Sequence, residues 1–265
     1  MKNDNYKREL EIAQHLAREA GNAILQIYYS SMDITTKADQ TPVTNADLLA
    51  NKIIMEGLHK AFPADGIVSE EVETIEGSRY WYIDPIDGTR GFIQHTDQFA
   101  VHIGLAVEEK AVLGIVYKPV AKEMYFAVKG HGAFRSSPYN TQQIKVRPQQ
   151  DIIAAMDSGD SRTEAYRTIE KLLPINRTII SGGEGLRMVK VAEGIADTHF
   201  TVNPEGCSTW DVCAPQAIAE EAGAYVCYTD GKPITYHGQR KLGKSFVIAN
   251  SKDLADRISE LIERI

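Results

Sequence analysis

Apolar residues at Leu10, Ala13, Leu16, Ala17, Ala20, Ile24 and Ile27 recur every three or four positions, a spacing that predicts an amphipathic helix over residues 6–29. The stretch KADQTPVT reads as a polar turn. Thr44, Asn45, Ala46 and Asp47 then introduce a second helix bearing Leu49, Ile53 and Leu58, which ends near Phe62-Pro63. Two short apolar runs follow, Ile67 to Ser69 and Tyr80 to Ile83, and both read as strands that run straight into acids, Glu70-Glu71 and Asp84.

From Phe99 the pattern becomes a meander. FAVHIGLAV, AVLGIVYKP and EMYFAVKGHGAF are apolar segments separated by polar turns, as antiparallel strands are. A polar stretch from Arg135 to Gln150 reads as a seam. Beyond it strands and helices alternate in the α/β manner: IIAAM, a helix near 161–172, TII, a helix near 185–194, a strand at 196–202, a helix near 211–222, and AYVCY. FVIAN and a terminal helix bearing Leu254, Ile258, Leu261 and Ile265 finish the chain. The pattern predicts two parts sharing an interface, residues 1–145 as an α+β part and 146–265 as an α/β part.

Composition narrows the partners. The formal net charge of -7 opposes binding to a nucleic acid polymer or an anionic membrane surface, whose electrostatic term would be repulsive. A small phosphorylated ligand stays open, because bound cations invert the local field. MKNDNYKREL lacks the apolar segment of a secretory signal and no run approaches membrane-spanning length, so a cytoplasmic protein is expected. Cys207, Cys213 and Cys227 are odd in number and lack CxxC spacing, so buried free thiols are expected rather than disulfides or a zinc site.

The candidate chemistry lies in RYWYIDPIDGTRGF. Asp84 and Asp87 are two carboxylates three positions apart, and magnesium sites on phosphates combine such oxygens with waters and the substrate. Pro85 fixes one backbone angle, and the bend can aim the Ile86 carbonyl at the same point. Gly88 and Thr89 follow where a helix can begin, offering N–H groups and a hydroxyl to an anion. Asp, Pro, Gly and Thr also make ordinary turns, so this stretch has a second reading. Three further acids bear on the choice: Glu70 ends a predicted strand, Asp47 opens a helix, and Asp211 in STWDVCAP opens another. Each has an alternative of its own. Asp47 fits a capping box with Thr44, Asp211 fits a first-turn acid on a helix dipole, and Glu70-Glu71 fits a solvated loop.

Taken together, TKADQTPVTNAD, SEE, DPIDGTRGF and STWDVCAP resemble the lithium-sensitive, magnesium-dependent phosphatases of the inositol monophosphatase superfamily, in order and in spacing across nearly the whole chain. Within it, DPIDGTRGFIQHTDQFAVHIGLAVEEKAVLGIV and GCSTWDVCAPQAIAEEAGAYVCYTDGKPITY look most like the 3'(2'),5'-bisphosphate nucleotidases. The resemblance implies an α/β layered αβαβα sandwich of the inositol monophosphatase and fructose-1,6-bisphosphatase type. It also implies release of the 3'-phosphate of adenosine 3',5'-bisphosphate, and of its sulfated relative, in sulfur metabolism. Two to three Mg2+ ions are implied. Glu70, Asp84 and the Ile86 carbonyl would hold the first, and Asp84, Asp87 and Asp211 the second, with a weaker third ion near Glu70 and Asp47. Thr89, bonded to Asp47, would help deprotonate the attacking water, with the Gly88 and Thr89 amides on the phosphate. The metal motifs would lie in 1–145 and the specificity elements in 146–265.

Two positions depart from the nucleotidase pattern. Arg90 stands where DGTKGF or DGTKEF is common, and in SGGEGLRMVKVAEG Arg187 stands where a lysine often follows the Gly-rich turn. Arg187 is expected to contact the non-scissile phosphate, its alternative being an ordinary surface arginine. Gly183 and Gly185 either let the backbone approach the substrate or shape a turn. An inositol monophosphatase or a histidinol-phosphate phosphatase would share the chemistry with another substrate. A non-catalytic metal- or nucleotide-binding protein would need a broken position, and Asp47, Glu70, Asp84, Asp87, Thr89 and Asp211 are all in place. The oligomeric state stays open.

Overall fold

In the computed structural model, which describes residues 6–36, 42–148, 151–159, 163–202 and 207–264, the first apolar stripe becomes helix α1 (Lys7–Tyr28). Its buried face, Ala13, Leu16, Ala17, Ala20 and Ile24, packs on helix α2 (Asn45–Ala61) and on the sheet beneath. Each large aliphatic side chain buried there contributes roughly 2 kcal/mol. Before α2 lies a small antiparallel ribbon, β1 (Ile34–Thr36) with β2 (Pro42–Thr44). The predicted polar turn KADQTPVT therefore gives way to strand at its C-terminal end, where Val43 and Thr44 are buried beside α2; residues 37–41 lie outside the described residues.

Seven strands form the first sheet in chain order: β3 (Gly66–Ser69), β4 (Tyr80–Asp87), β5 (Ala100–Val107), β6 (Lys110–Lys118), β7 (Glu123–Val128), β8 (Ala133–Ser136) and β9 (Thr141–Ile144). β3 runs parallel to β4 and every other pair is antiparallel. The polar seam predicted from Arg135 is thus partly sheet. β9 is an edge strand that buries only Ile144, so backbone pairing holds it without the apolar alternation that betrays other strands.

Five strands form the second sheet in the order β11-β10-β12-β14-β13. β10 (Ile152–Met156) pairs in parallel with β11 (Ile175–Ile180) and β12 (Thr198–Phe200). β14 (Phe246–Ala249) runs antiparallel to β12 and to β13 (Tyr225–Tyr228). Helices α5 (Glu184–Ala192) and α6 (Thr209–Glu221) fill the space between the sheets, in one core with Tyr82, Val116, Ala155 and Ile248. On the outer face of the second sheet, α4 (Glu164–Leu172) and α7 (Lys252–Ile262) pack on Phe200 and Val247. The layers are α1/α2, seven-stranded sheet, α5/α6, five-stranded sheet, α4/α7, an αβαβα sandwich.

α6 lies unusually close to the first sheet. A Cβ at Gly114 would sit 2.0 Å from the Ala214 carbonyl oxygen, and one at Gly104 would sit 2.8 Å from the Ala214 nitrogen. Only glycine on β5 and β6 admits that approach, which sets how deeply the N-terminal half of α6 sits on the sheet. All three cysteines are free and buried, and among the described residues no helix is long and apolar enough to cross a membrane.

Candidate active site

The strand predicted to end at Ile83 continues through Asp87. Asp84 stands opposite His102 and Asp87 opposite Ala100, so Pro85 and Ile86 share one partner position and the strand bulges. Pro85 has no N–H to lose at such a bulge. Asp84 Oδ1 accepts the Ile86 N–H at 3.0 Å, which tightens the turn between the two acids. Gly88 follows at φ 90°, with a virtual Cβ only 2.5 Å from the Gln98 carbonyl, and opens the short helix α3 (Thr89–Ile93). The Thr89 hydroxyl donates to the Ile86 carbonyl at 3.2 Å.

Asp211 arrives from α6. The Ser208 N–H donates to its Oδ2 at 2.7 Å, the acidic half of a capping box. Asp84, Asp87 and Asp211 each offer a carboxylate oxygen, and the three atoms lie within 4.8 Å of one another. Glu70, at the exit of β3, lines the same cavity of about 390 Å³. Its backbone carbonyl accepts Arg240 Nη2 at 3.1 Å, while the Ser69 carbonyl accepts Nη1 at 2.8 Å. The Arg240 guanidinium also lies 4.8 Å from the Trp210 ring centre, so one side chain ties the Glu70 strand end to the helix bearing Asp211.

Asp47 is the third residue of α2, and its Oδ2 accepts the Thr44 N–H at 2.8 Å and the Thr44 hydroxyl at 2.5 Å. The capping reading of Asp47 and of Asp211 is therefore correct as far as it goes. It does not exhaust either residue, because the charge of each also reaches Asp84. Burial pushes the Asp84 carboxyl well above the usual range, and Glu70, Asp87, Asp211 and Asp47 push it further. The Asp211 carboxyl is raised by burial and by Asp87, against the Ser208 N–H, with Glu70 and Glu184 adding to the rise. Like charges this close resist simultaneous ionisation unless a cation joins them. An all-oxygen, anionic and crowded donor set suits a hard divalent ion.

Asp87 ties the end of β4 to the N-terminus of α5. Its Oδ1 accepts the Glu184 N–H at 2.8 Å and its Oδ2 the Gly185 N–H at 2.9 Å, so the carboxylate receives the N-terminus of α5. Gly183 permits this contact: at φ 69° its virtual Cβ lies 2.6 Å from Asp87 Oδ2. Its conformational freedom thus first serves the approach of Asp87. The ring of His102, fully buried, places Nε2 3.2 Å from the same oxygen.

Arg187 is not a surface arginine. It is 7% exposed, its Nη2 donates to Glu184 Oε2 at 2.5 Å, its Nη1 reaches the Ser181 carbonyl at 3.4 Å, and it still lines the cavity. Arg90 also lines the cavity but is exposed. Sequence reasoning passed over Glu184, His199, Asp157 and Arg240. Glu184 and Arg187 are three apart on a helix, a spacing that signals an ion pair. Nothing along the chain signals the other three.

A family model described as the inositol monophosphatase family matches residues 5–265. The 3'(2'),5'-bisphosphate nucleotidase CysQ of Escherichia coli (strain K12) is 36% identical over 228 residues, covering 83% of this chain and 91% of that one. Inositol monophosphatase 1 of Homo sapiens is 31% identical over 279 residues, covering 99% and 96%. Among solved structures, the inositol monophosphatase of Thermotoga maritima superposes with a TM-score of 0.80 at 25% identity, covering 97% of this chain and 99% of its own.

Proposed function

Because the chain belongs to the inositol monophosphatase family, we propose that it is a magnesium-dependent phosphomonoesterase that releases the 3'-phosphate of adenosine 3',5'-bisphosphate. The observation that carries this reading is the meeting of Asp84, Asp87 and Asp211 within 4.8 Å in the cavity that Glu70, Gly88 and Thr89 also line. The likeness to a bisphosphate nucleotidase supports the choice of substrate.

Glu70, Asp84 and the Ile86 carbonyl would hold one Mg2+, Asp84, Asp87 and Asp211 a second, and Glu70 with Asp47 a weaker third. Magnesium so bound supplies Lewis-acid charge for the phosphoryl oxygens and for the attacking water. The protein's part is to position and to move protons. Asp87 and Asp211 are each held by backbone N–H groups through one or both oxygens, which fixes their orientation. Thr89 and Asp47 would orient the water and receive its proton, and the Gly88 and Thr89 amides would face the phosphate. No covalent nucleophile is needed, in keeping with burial and raised pKa values for the thiols of Cys207 and Cys213.

One observation favours a second reading. Arg187, the side chain expected at a second phosphate, is already paired with Glu184. A substrate whose remaining groups are neutral hydroxyls, such as inositol 1-phosphate, would leave that pair intact. Phosphate release from adenosine 3',5'-bisphosphate, inositol 1-phosphate and histidinol phosphate, each with and without magnesium, separates the readings. The nucleotide should give the highest kcat/KM, with no turnover in chelator. A nucleotide that is the poorest of the three would overturn the assignment.

A further inference from the structure

The α5 end of the cavity carries a charge arrangement that the phosphatase chemistry does not require. Glu184 is the first residue of α5, and its side chain is only 11% exposed. One carboxylate oxygen receives Arg187 Nη2 and the other meets His199 Nε2. The His199 ring is fully buried, and its Nδ1 donates to the Ala155 carbonyl at 2.8 Å. Glu184 is thus held between Arg187 on its own helix and His199 on β12.

Arg187 is left half satisfied. Among the described residues its Nε is buried without a hydrogen-bond partner, and Nη1 has the long Ser181 contact and Asp157 at 3.9 Å. A guanidinium in a cavity wall is a natural fork for a phosphate. Here Glu184 occupies its best donor, Asp157 stands nearby, and the Glu184 charge also reaches Asp211. A second phosphate can take the guanidinium only in competition with these carboxylates.

We infer that Glu184 is a specificity-determining residue that withholds Arg187 from a second phosphate, so that the enzyme distinguishes a nucleoside 3',5'-bisphosphate only weakly from the matching 3'-monophosphate. The inference rests on placing the scissile phosphate at the acidic cluster and deepens that reading by naming what the remainder of the substrate meets. Removing the Glu184 charge frees the fork, and the gain belongs to the bisphosphate alone.

The test is kcat/KM for adenosine 3',5'-bisphosphate and adenosine 3'-monophosphate with wild type, Glu184→Gln, Glu184→Ser and Glu184→Ser/Arg187→Met. Wild type should favour the bisphosphate by less than about tenfold, one charge-assisted hydrogen bond's worth. Glu184→Ser should raise that ratio about tenfold or more through KM for the bisphosphate, Glu184→Gln should raise it less, and adding Arg187→Met should return it. Serine suits the first turn of a helix, and the isosteric glutamine gives a second variant if serine fails to fold. An unchanged ratio in a folded variant, or a wild-type ratio above about a hundredfold, overturns the inference. If neither nucleotide turns over while inositol 1-phosphate does, the nucleotidase reading fails separately. The ratio is then read from the two nucleotides' inhibition constants against inositol 1-phosphate hydrolysis, with the same shift expected and the same absence of shift overturning it.

Discussion

The two ends of the cavity are built differently. At the β4 end, Asp84, Ile86, Asp87, Gly88 and Thr89 come from one bulged strand and the turn after it, so five neighbouring residues line the cavity together. At the α5 end, Glu184 and Arg187 on α5, His199 on β12 and Asp157 after β10 come from three separate places and are joined by ion pairs. The first end gathers Asp84, Asp87 and Asp211 within 4.8 Å of one another, an arrangement suited to an added cation. The second sets its acids beside Arg187 and His199, which suits selecting among uncharged or weakly charged groups. On the proposed reading chemistry and selectivity would be separated in space, with Asp87 and the N-terminus of α5 as the link.

Asp84→Asn should break the β4 end most completely. Turnover should fall by about a thousandfold or more, since an anion that both ions would share is lost. In chelator the variant should melt no lower than wild type, because a crowded buried charge has been removed. Near-normal kcat, read beside a thermal melt, would contradict the metal role.

Gly114→Ala should come next, acting on the fold rather than on the chemistry. Its methyl group would press on the Ala214 carbonyl, and forcing α6 off the sheet should cost about 1–3 kcal/mol in denaturant unfolding and displace Asp211. Unchanged stability would mean that the close approach of α6 is not what sets the depth of Asp211.

Asp47→Ala separates a cap from a catalytic group. The lost cap should cost about 1 kcal/mol of stability, while kcat falls much further than that loss explains. A variant with a lowered melting temperature but normal kcat would make Asp47 a cap alone.

The acidic end should also reveal itself through pH. Asp84 and Asp211 hold their protons more tightly in the folded chain than in the unfolded one, burial being the first cause and neighbouring carboxylates the second. In chelator the stability they contribute is therefore complete below the ordinary carboxylate value of about 4 and is lost as pH rises through the raised values. Magnesium should then raise the melting temperature by an increment that grows with pH. A constant increment across that range would show that these carboxyls do not titrate with metal binding. Arg240→Ala should give the smallest effect, a few-fold loss of magnesium affinity by calorimetry, because Arg240 touches the backbone around Glu70 and the Trp210 ring but no carboxylate of the cluster.

Much of the β4 end was legible in the chain because its residues are neighbours there. DPIDGT names its acids, its bend and its turn in six letters, though not that the strand runs on through a bulge to Asp87, and the helix-opening positions of Asp47 and Asp211 follow from Thr44 and from the Ser-Thr-Trp-Asp run. The alternating strands and amphipathic helices were legible for the same local reason. β9 was not, because an edge strand paired by backbone alone carries no apolar pattern. Nor was the α5 end, where His199 is a lone histidine in a short strand and meets Glu184 only after the second sheet has closed over α5. Arg187 shows the limit well: its cationic character was visible and its partner was not.

The most direct test of the account is an anomalous-difference map from crystals soaked in manganese, an oxygen-seeking stand-in for magnesium. A strong peak is expected among Asp84, Asp87 and Asp211, with a second toward Glu70. A map with no peak at the three aspartates, in crystals of an active and fully folded protein, would contradict it.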